Sequence, residues 1–241
     1  MSVQPGASGL TSAVRAALRE AAVPANAEPM RAYMKSAMPY LGVKTPERRR
    51  LSLQIFAAMP LADLAAWRDA VLDLWRNAEY REERYAALEL CSFRRNKVHQ
   101  TTAALPLYKE LIVTGAWWDF VDWAAARVGD VLRAEPEKTA AILRGWATGD
   151  DIWLRRTSII CQLRAKAATD RELLFDCIEP SIENSEFFLR KGIGWALREY
   201  AKTEPEAVVR YVRRHADRLS PLSKREALRR LINAGTFDSI P

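Results

Sequence analysis

The sequence predicts an all-α fold, an α-solenoid of antiparallel helix pairs. Three observations carry this. Apolar residues recur at helical spacing along almost the whole chain, strand-like alternation bounded by Asn-Gly or Asp-Gly is absent, and periodic segments of similar length alternate with brief turns. In chain order the spacing predicts helices over about 9–22, 28–37, 46–58, 61–76, 79–94, 101–114, 116–133, 136–148, 151–167, 170–180, 185–201, 204–216 and 221–233, each end to within a few residues. Thr45-Pro46-Glu47 offers a hydroxyl cap, a proline at the first helical position and an acid in the first turn. Ser220-Pro221 repeats the device, with Ser223 and Glu226 as an alternative capping box. Met59-Pro60, Glu135-Pro136 and Glu204-Pro205 punctuate the pattern, because the residue before a proline is pushed out of the α region.

Helix pairs recur about every 35–40 residues, the period of HEAT or armadillo-type arrays, which favours a solenoid over a closed bundle of the same helix lengths. No Gly/Ser-rich or low-complexity run divides the chain, so a single domain over 1–241 is expected, loosely ordered at its ends, about 1–8 and 235–241.

Of 241 residues, 49% are hydrophobic, enough for a sizeable core without covalent staples. The three cysteines, Cys91, Cys161 and Cys177, show no C-x-x-C spacing and read as small buried residues in a reducing compartment. No N-terminal basic-then-apolar segment and no apolar run of about 18 residues occurs, so the chain reads as soluble, unprocessed and cytoplasmic, with no membrane partner. A net charge of +7 points to a polyanion, nucleic acid before anionic lipid. The basic residues come in groups: Lys44, Arg48, Arg49 and Arg50; Arg94, Arg95 and Lys97; Arg155 and Arg156; Arg190 and Lys191; Arg213 and Arg214; Lys224, Arg225, Arg229 and Arg230. Any one group reads most simply as a solvated helix face. At one end of successive helices in a curved solenoid, however, they would line a basic concave face, each phosphate neutralised adding affinity by counterion release.

Two distant histidines, His99 and His215, without neighbouring Cys or paired carboxylates imply no metal, and phosphate-loop and nucleophile-elbow motifs are missing, so no cofactor is expected. The unusual segment is Gly115-Ala116-Trp117-Trp118-Asp119-Phe120-Val121-Asp122. On a helix Trp117, Phe120, Val121, Ala124 and Val128 share one apolar face, which accounts for the first tryptophan as core. Trp118 and Asp122, four apart, lie on a neighbouring stripe. There Asp122 has two readings: partner to an arginine of the next helix, or a carboxylate beside an aromatic face in a site. Further on, Gly192 and Gly194 each weaken their helix by about 1 kcal/mol relative to alanine and mark a close approach, with Gly192 leaving space beside Trp195.

The stretches W-W-D-F-V-D from Trp117, I-W-L-R-R from Ile152 and G-W-A-L-R-E-Y-A-K from Gly194 come in consistent order with A-E-P-M-R-A-Y-M-K from Ala27, G-V-K-T-P-E-R-R from Gly42 and L-S-K-R-E-A from Leu222. Over residues 27–230 the chain resembles the DNA alkylation repair family of the AlkD type. That resemblance implies a HEAT-like-repeat DNA glycosylase of base excision repair, a monofunctional hydrolase. Such an enzyme wraps duplex DNA and excises cationic N3- and N7-alkylated purines without enclosing a flipped base. By matching motif positions, the resemblance puts Asp122, Trp118 and Trp195 at the catalytic centre, gives Arg156 a neighbouring phosphate and makes Tyr33 one wall of the cleft. The basic groups add Lys44, Arg48, Lys191, Lys224 and Arg225 as DNA contacts. The implied partner is duplex DNA containing alkylated purines, met by a monomer with no obligatory protein partner, in the cytoplasm at the nucleoid. The alternative is a non-enzymatic HEAT-type scaffold or DNA-binding protein. A carboxylate about 4 Å from the sugar cation formed during N-glycosidic cleavage would contribute about 4 kcal/mol at an effective dielectric near 20, roughly a thousandfold in rate.

Overall fold

A computed structural model describes residues 6–235, and among them the chain forms thirteen α-helices joined by turns and short 3-10 segments, with no strand. The fold is an all-α helical repeat, and each helix lies close to one predicted from the apolar spacing. The expectation for the ends falls largely outside the described residues; Ala7 and Ser8, expected to be loose, already belong to the first helix.

By contact the chain divides at His99/Gln100 into two compact units. The first holds α1 (Ala7–Glu20), α2 (Pro24–Met34), α3 (Thr45–Ala58), α4 (Leu64–Arg76) and α5 (Arg81–Ser92). Here α1 packs on α3 and α4, and α5 packs on the same two helices. Their shared core is Leu10, Val14, Leu18, Phe56, Trp67, Val71, Leu74, Trp75 and Leu90, all nearly inaccessible. The loop entering α3 is pinned by a buried carboxylate: Glu82 accepts the backbone N–H groups of Leu41, Gly42 and Val43 at 3.1, 2.8 and 3.1 Å. Gly42 has φ +83°, and a Cβ there would stand 2.1 Å from the Val23 carbonyl oxygen, so no other residue fits this turn. The expected Thr45 cap is not made: the helix starts one residue early, with Lys44 at the capping position and Thr45 already in the first turn.

The second unit holds α6 (Leu105–Gly115), α7 (Trp118–Ala134), α8 (Pro136–Thr148), α9 (Ile152–Ile160), α10 (Arg171–Ile178), α11 (Phe187–Tyr200), α12 (Pro205–Arg214) and α13 (Pro221–Asn233). Four of these, α7, α9, α11 and α13, pack one on the next as a continuous layer, while α8 packs on α7 and α9 and also meets α10. Capping follows the sequence signal at α13, where Ser220 accepts the N–H of Ser223, and Asp151 caps α9 by accepting the N–H groups of Trp153 and Leu154. The predicted 151–167 helix is the exception. It stops at Ile160, and Gly129 of α7 lies against the next carbonyl, that of Cys161, where even a methyl group would stand 2.2 Å from the oxygen. Beyond it the chain turns on Ile160–Leu163 and Gln162–Ala165 backbone bonds, and the Gln162 amide closes the bend onto the backbone of Asp170. No helix among the described residues is long and apolar enough to cross a membrane.

Candidate active site

On α7 the buried residues Phe120, Val121, Ala124, Ala125, Val128 and Val131 define the inward direction. At 3.6 residues per turn, Asp122 points about 135° away from it and Trp118 about 95°, so the two lie one turn apart on the side the core does not use. Trp117 does not join the apolar stripe as the sequence reading had it. The helix begins at Trp118, and Trp117 occupies the capping position in extended backbone. Its indole packs instead against Phe188 and Trp153, with ring centroids 5.6 and 6.4 Å away.

Asp122 is held from behind by Arg156 of α9. The guanidinium makes a forked pair with the carboxylate, Nε to Oδ1 at 2.7 Å and Nη2 to Oδ2 at 2.9 Å. Its remaining nitrogen, Nη1, donates to the Phe188 carbonyl of α11. One buried arginine thus ties three successive helices together at the level of Asp122. The pair is asymmetric in exposure: the Arg156 side chain is 4% accessible and that of Asp122 18%.

Arg156, expected beside a phosphate, here has all three guanidinium nitrogens engaged within the protein and almost no accessible surface. Of the two readings of Asp122, the ion pair with an arginine of a later helix is the one seen here, and the carboxylate side chain keeps some accessible surface. Gly192 is reassigned. A Cβ at this position would stand 3.1 Å from Arg156 Nη1, so the glycine makes room for the guanidinium, not for the Trp195 indole.

Trp195 lies on the same flank of α11 as Phe188 and Gly192, by their i, i+4, i+7 spacing. It is half-buried and points about 145° away from the direction of Leu189, Ile193, Ala196, Leu197 and Tyr200, counting 3.6 residues per turn. The layer α7–α9–α11 therefore presents Trp118 and Asp122 on one side of Arg156 and Trp195 on the other. The close approach that Gly194 signalled is made by α13: a Cβ on Gly194 would stand 2.5 Å from Glu226 Cβ and 2.9 Å from the Ser223 carbonyl oxygen, so α11 and α13 touch at their backbones. Glu226 had signalled only a capping box; it turns instead to Lys191 and Arg198 of α11.

The basic residues divide. Lys191 pairs with Glu226 at 2.8 Å yet remains 38% accessible, Lys224 donates to the Ala216 carbonyl at 3.0 Å, and Arg225 is exposed. In the first unit Lys44 is exposed and Tyr33 of α2 is 77% accessible. Arg48 departs from the expectation of a DNA contact: it is 7% accessible, bound to Glu89 at 3.1 Å and stacked over the Tyr85 ring, so its charge is spent inside the unit. His99 stacks on Trp67 and His215 on Tyr211, and no cluster of metal-ligating side chains occurs among the described residues.

A family model described as DNA alkylation repair enzyme matches residues 14–231. Among solved structures the chain is similar to one described as a predicted DNA alkylation repair enzyme from Enterococcus faecalis, at 29% identity and a TM-score of 0.78, over 85% of this chain and 94% of that one. No curated protein matches the sequence. The family match spans the helices that carry Trp118, Asp122, Arg156 and Trp195, and the chain belongs to the DNA alkylation repair enzyme family.

Proposed function

We propose that the protein is a monofunctional DNA glycosylase of base excision repair that hydrolyses the N-glycosidic bond of cationic N3- and N7-alkylated purines in duplex DNA. The observation that carries the reading is the Arg156-clamped carboxylate of Asp122, partly accessible and one helical turn from Trp118.

Alkylation at N3 or N7 already makes the purine a cationic leaving group, so no general acid is required. The C1′–N bond breaks with its electron pair leaving on the base, and positive charge develops on the deoxyribose. Water then attacks C1′ and loses a proton. A carboxylate about 4 Å from the sugar contributes about 4 kcal/mol at an effective dielectric near 20, but the Arg156 charge behind it, about 8 Å from the same sugar, opposes it by about 2 kcal/mol. The remaining 2 kcal/mol corresponds to roughly thirtyfold in rate, well below the value for an unpaired acid. The pair gives up field strength for a fixed carboxylate direction, which also serves to align the attacking water.

Trp118 and Trp195 offer π faces to the same cation, each contributing about 0.5–2 kcal/mol according to desolvation. Lys191, Lys224 and Arg225, with the exposed Lys44 and Tyr33 of the first unit, are proposed DNA contacts, and the partner is alkylated duplex, engaged by a monomer. The direct test is to incubate purified protein with duplex DNA treated with N-methyl-N-nitrosourea and to chromatograph the released bases. Release of 3-methyladenine or 7-methylguanine is expected; DNA binding without release would favour a non-enzymatic DNA-binding protein.

A further inference from the structure

Three cations on α11 and α13 converge on one acid. Glu226 Oε1 lies 2.8 Å from Lys191 Nζ, its Oε2 bonds Arg198, and Arg229 Nη1 stands 3.8 Å from Oε1. The Glu226 side chain is 7% accessible, whereas Lys191, Arg198 and Arg229 keep 38%, 17% and 55% of theirs. The acid is therefore the floor of the cluster and the cations are its rim, with two positive charges left uncompensated. Burial pushes the Glu226 carboxyl up, but Lys191, Arg198 and Arg229 outweigh it and hold it below the usual carboxylate range.

Lys191 and Arg198 are seven residues apart, about 10 Å along the helix axis at 1.5 Å per residue, and both lie opposite the core face of α11 with Trp195 between them. Like charges at such sites would splay apart into solvent. The backbone contact of Gly194 with Ser223 and Glu226 brings the carboxylate close enough to reach both.

We propose that Lys191, Arg198 and Arg229, gathered on the buried carboxylate of Glu226, form one phosphate-binding site beside Trp195. An ammonium and two guanidinium groups converging from three directions match the oxygens of a phosphodiester, and the surplus of positive charge supplies the attraction. Glu226 is here a positioning residue: an acid that strengthens binding to a polyanion. The inference rests on the reading of this chain as a DNA-binding protein.

The test turns on sign. Glu226→Gln makes the surface one charge more positive, which by itself strengthens affinity for DNA. Measured by fluorescence anisotropy of the full-length protein on undamaged duplex between 50 and 200 mM salt, the positioning role predicts the reverse: about tenfold weaker binding and a salt slope reduced by about one phosphate contact. Equal or tighter binding by Glu226→Gln would overturn the proposal. Arg229→Ala, at an exposed rim position, keeps the question open to measurement even where Glu226→Gln fails to fold. It should lose several-fold in affinity and part of the salt slope, and an unchanged slope would count against the site. Because the readout is binding to intact DNA, a protein that binds as described yet releases no base would defeat the glycosylase reading and leave this one standing.

Discussion

Replacing Asp122 by asparagine perturbs two things at once, and the structure separates them. The amide removes the negative charge facing the sugar cation, worth about 4 kcal/mol, and leaves the opposing Arg156 charge in place, so excision should fall roughly a thousandfold. It also strands Arg156, whose side chain is 4% accessible, opposite a neutral amide that offers one acceptor where the carboxylate offered two. Breaking a buried pair from one side costs about 3–5 kcal/mol, which for a chain of this size lowers the melting temperature by about 6–20 °C. The assay is single-turnover release of 7-methylguanine at 20 °C, with melting followed by calorimetry. The double variant Asp122→Asn/Arg156→Gln removes both charges and should recover much of the lost stability while excision stays low. A folded Asp122→Asn protein that excises at the normal rate would refute the electrostatic role, and a double variant as active as the parent would refute the clamp.

Trp118→Ala and Trp195→Ala should each reduce excision with little change in melting temperature, since both side chains are half-buried and lie off the core stripe of their helices. Trp117→Ala, which empties the contact with Phe188 and Trp153, should destabilise more, and equal loss in all three would refute the assignment. Gly194→Ala should cost about 1–3 kcal/mol in urea unfolding, because its methyl group meets the Ser223 backbone and Glu226 Cβ, neither of which moves without shifting α13. The thiols of Cys91, Cys161 and Cys177 are buried, and burial pushes Cys177 up to about 12 and Cys161 higher still. Folded protein should therefore not react with a disulfide reagent at pH 8, and three equivalents should appear in guanidinium; rapid reaction before unfolding would contradict the packing.

What the sequence determined by itself was local: helix existence, most helix ends and the facing of single residues. Apolar spacing and a cap such as Ser220 act within one or two turns, so they are legible without knowing the partner. The outward facing of Asp122 and Trp195 was legible for the same reason, and motif likeness put Trp118, Asp122, Arg156 and Trp195 in one site. Tertiary contact decided the rest. Trp117 left its expected stripe because the helix starts two residues later than the spacing predicted, at Trp118, and α9 ended at Ile160, where Gly129 packs closely on the next carbonyl, that of Cys161. Whether an arginine faces DNA or the interior depends on which carboxylate a distant helix supplies. Arg48 and Arg156 found Glu89 and Asp122, and both became internal, while Lys191 found Glu226 and stayed at the surface. Helical phase says where a side chain points; only the packed neighbour says whether its charge is already answered.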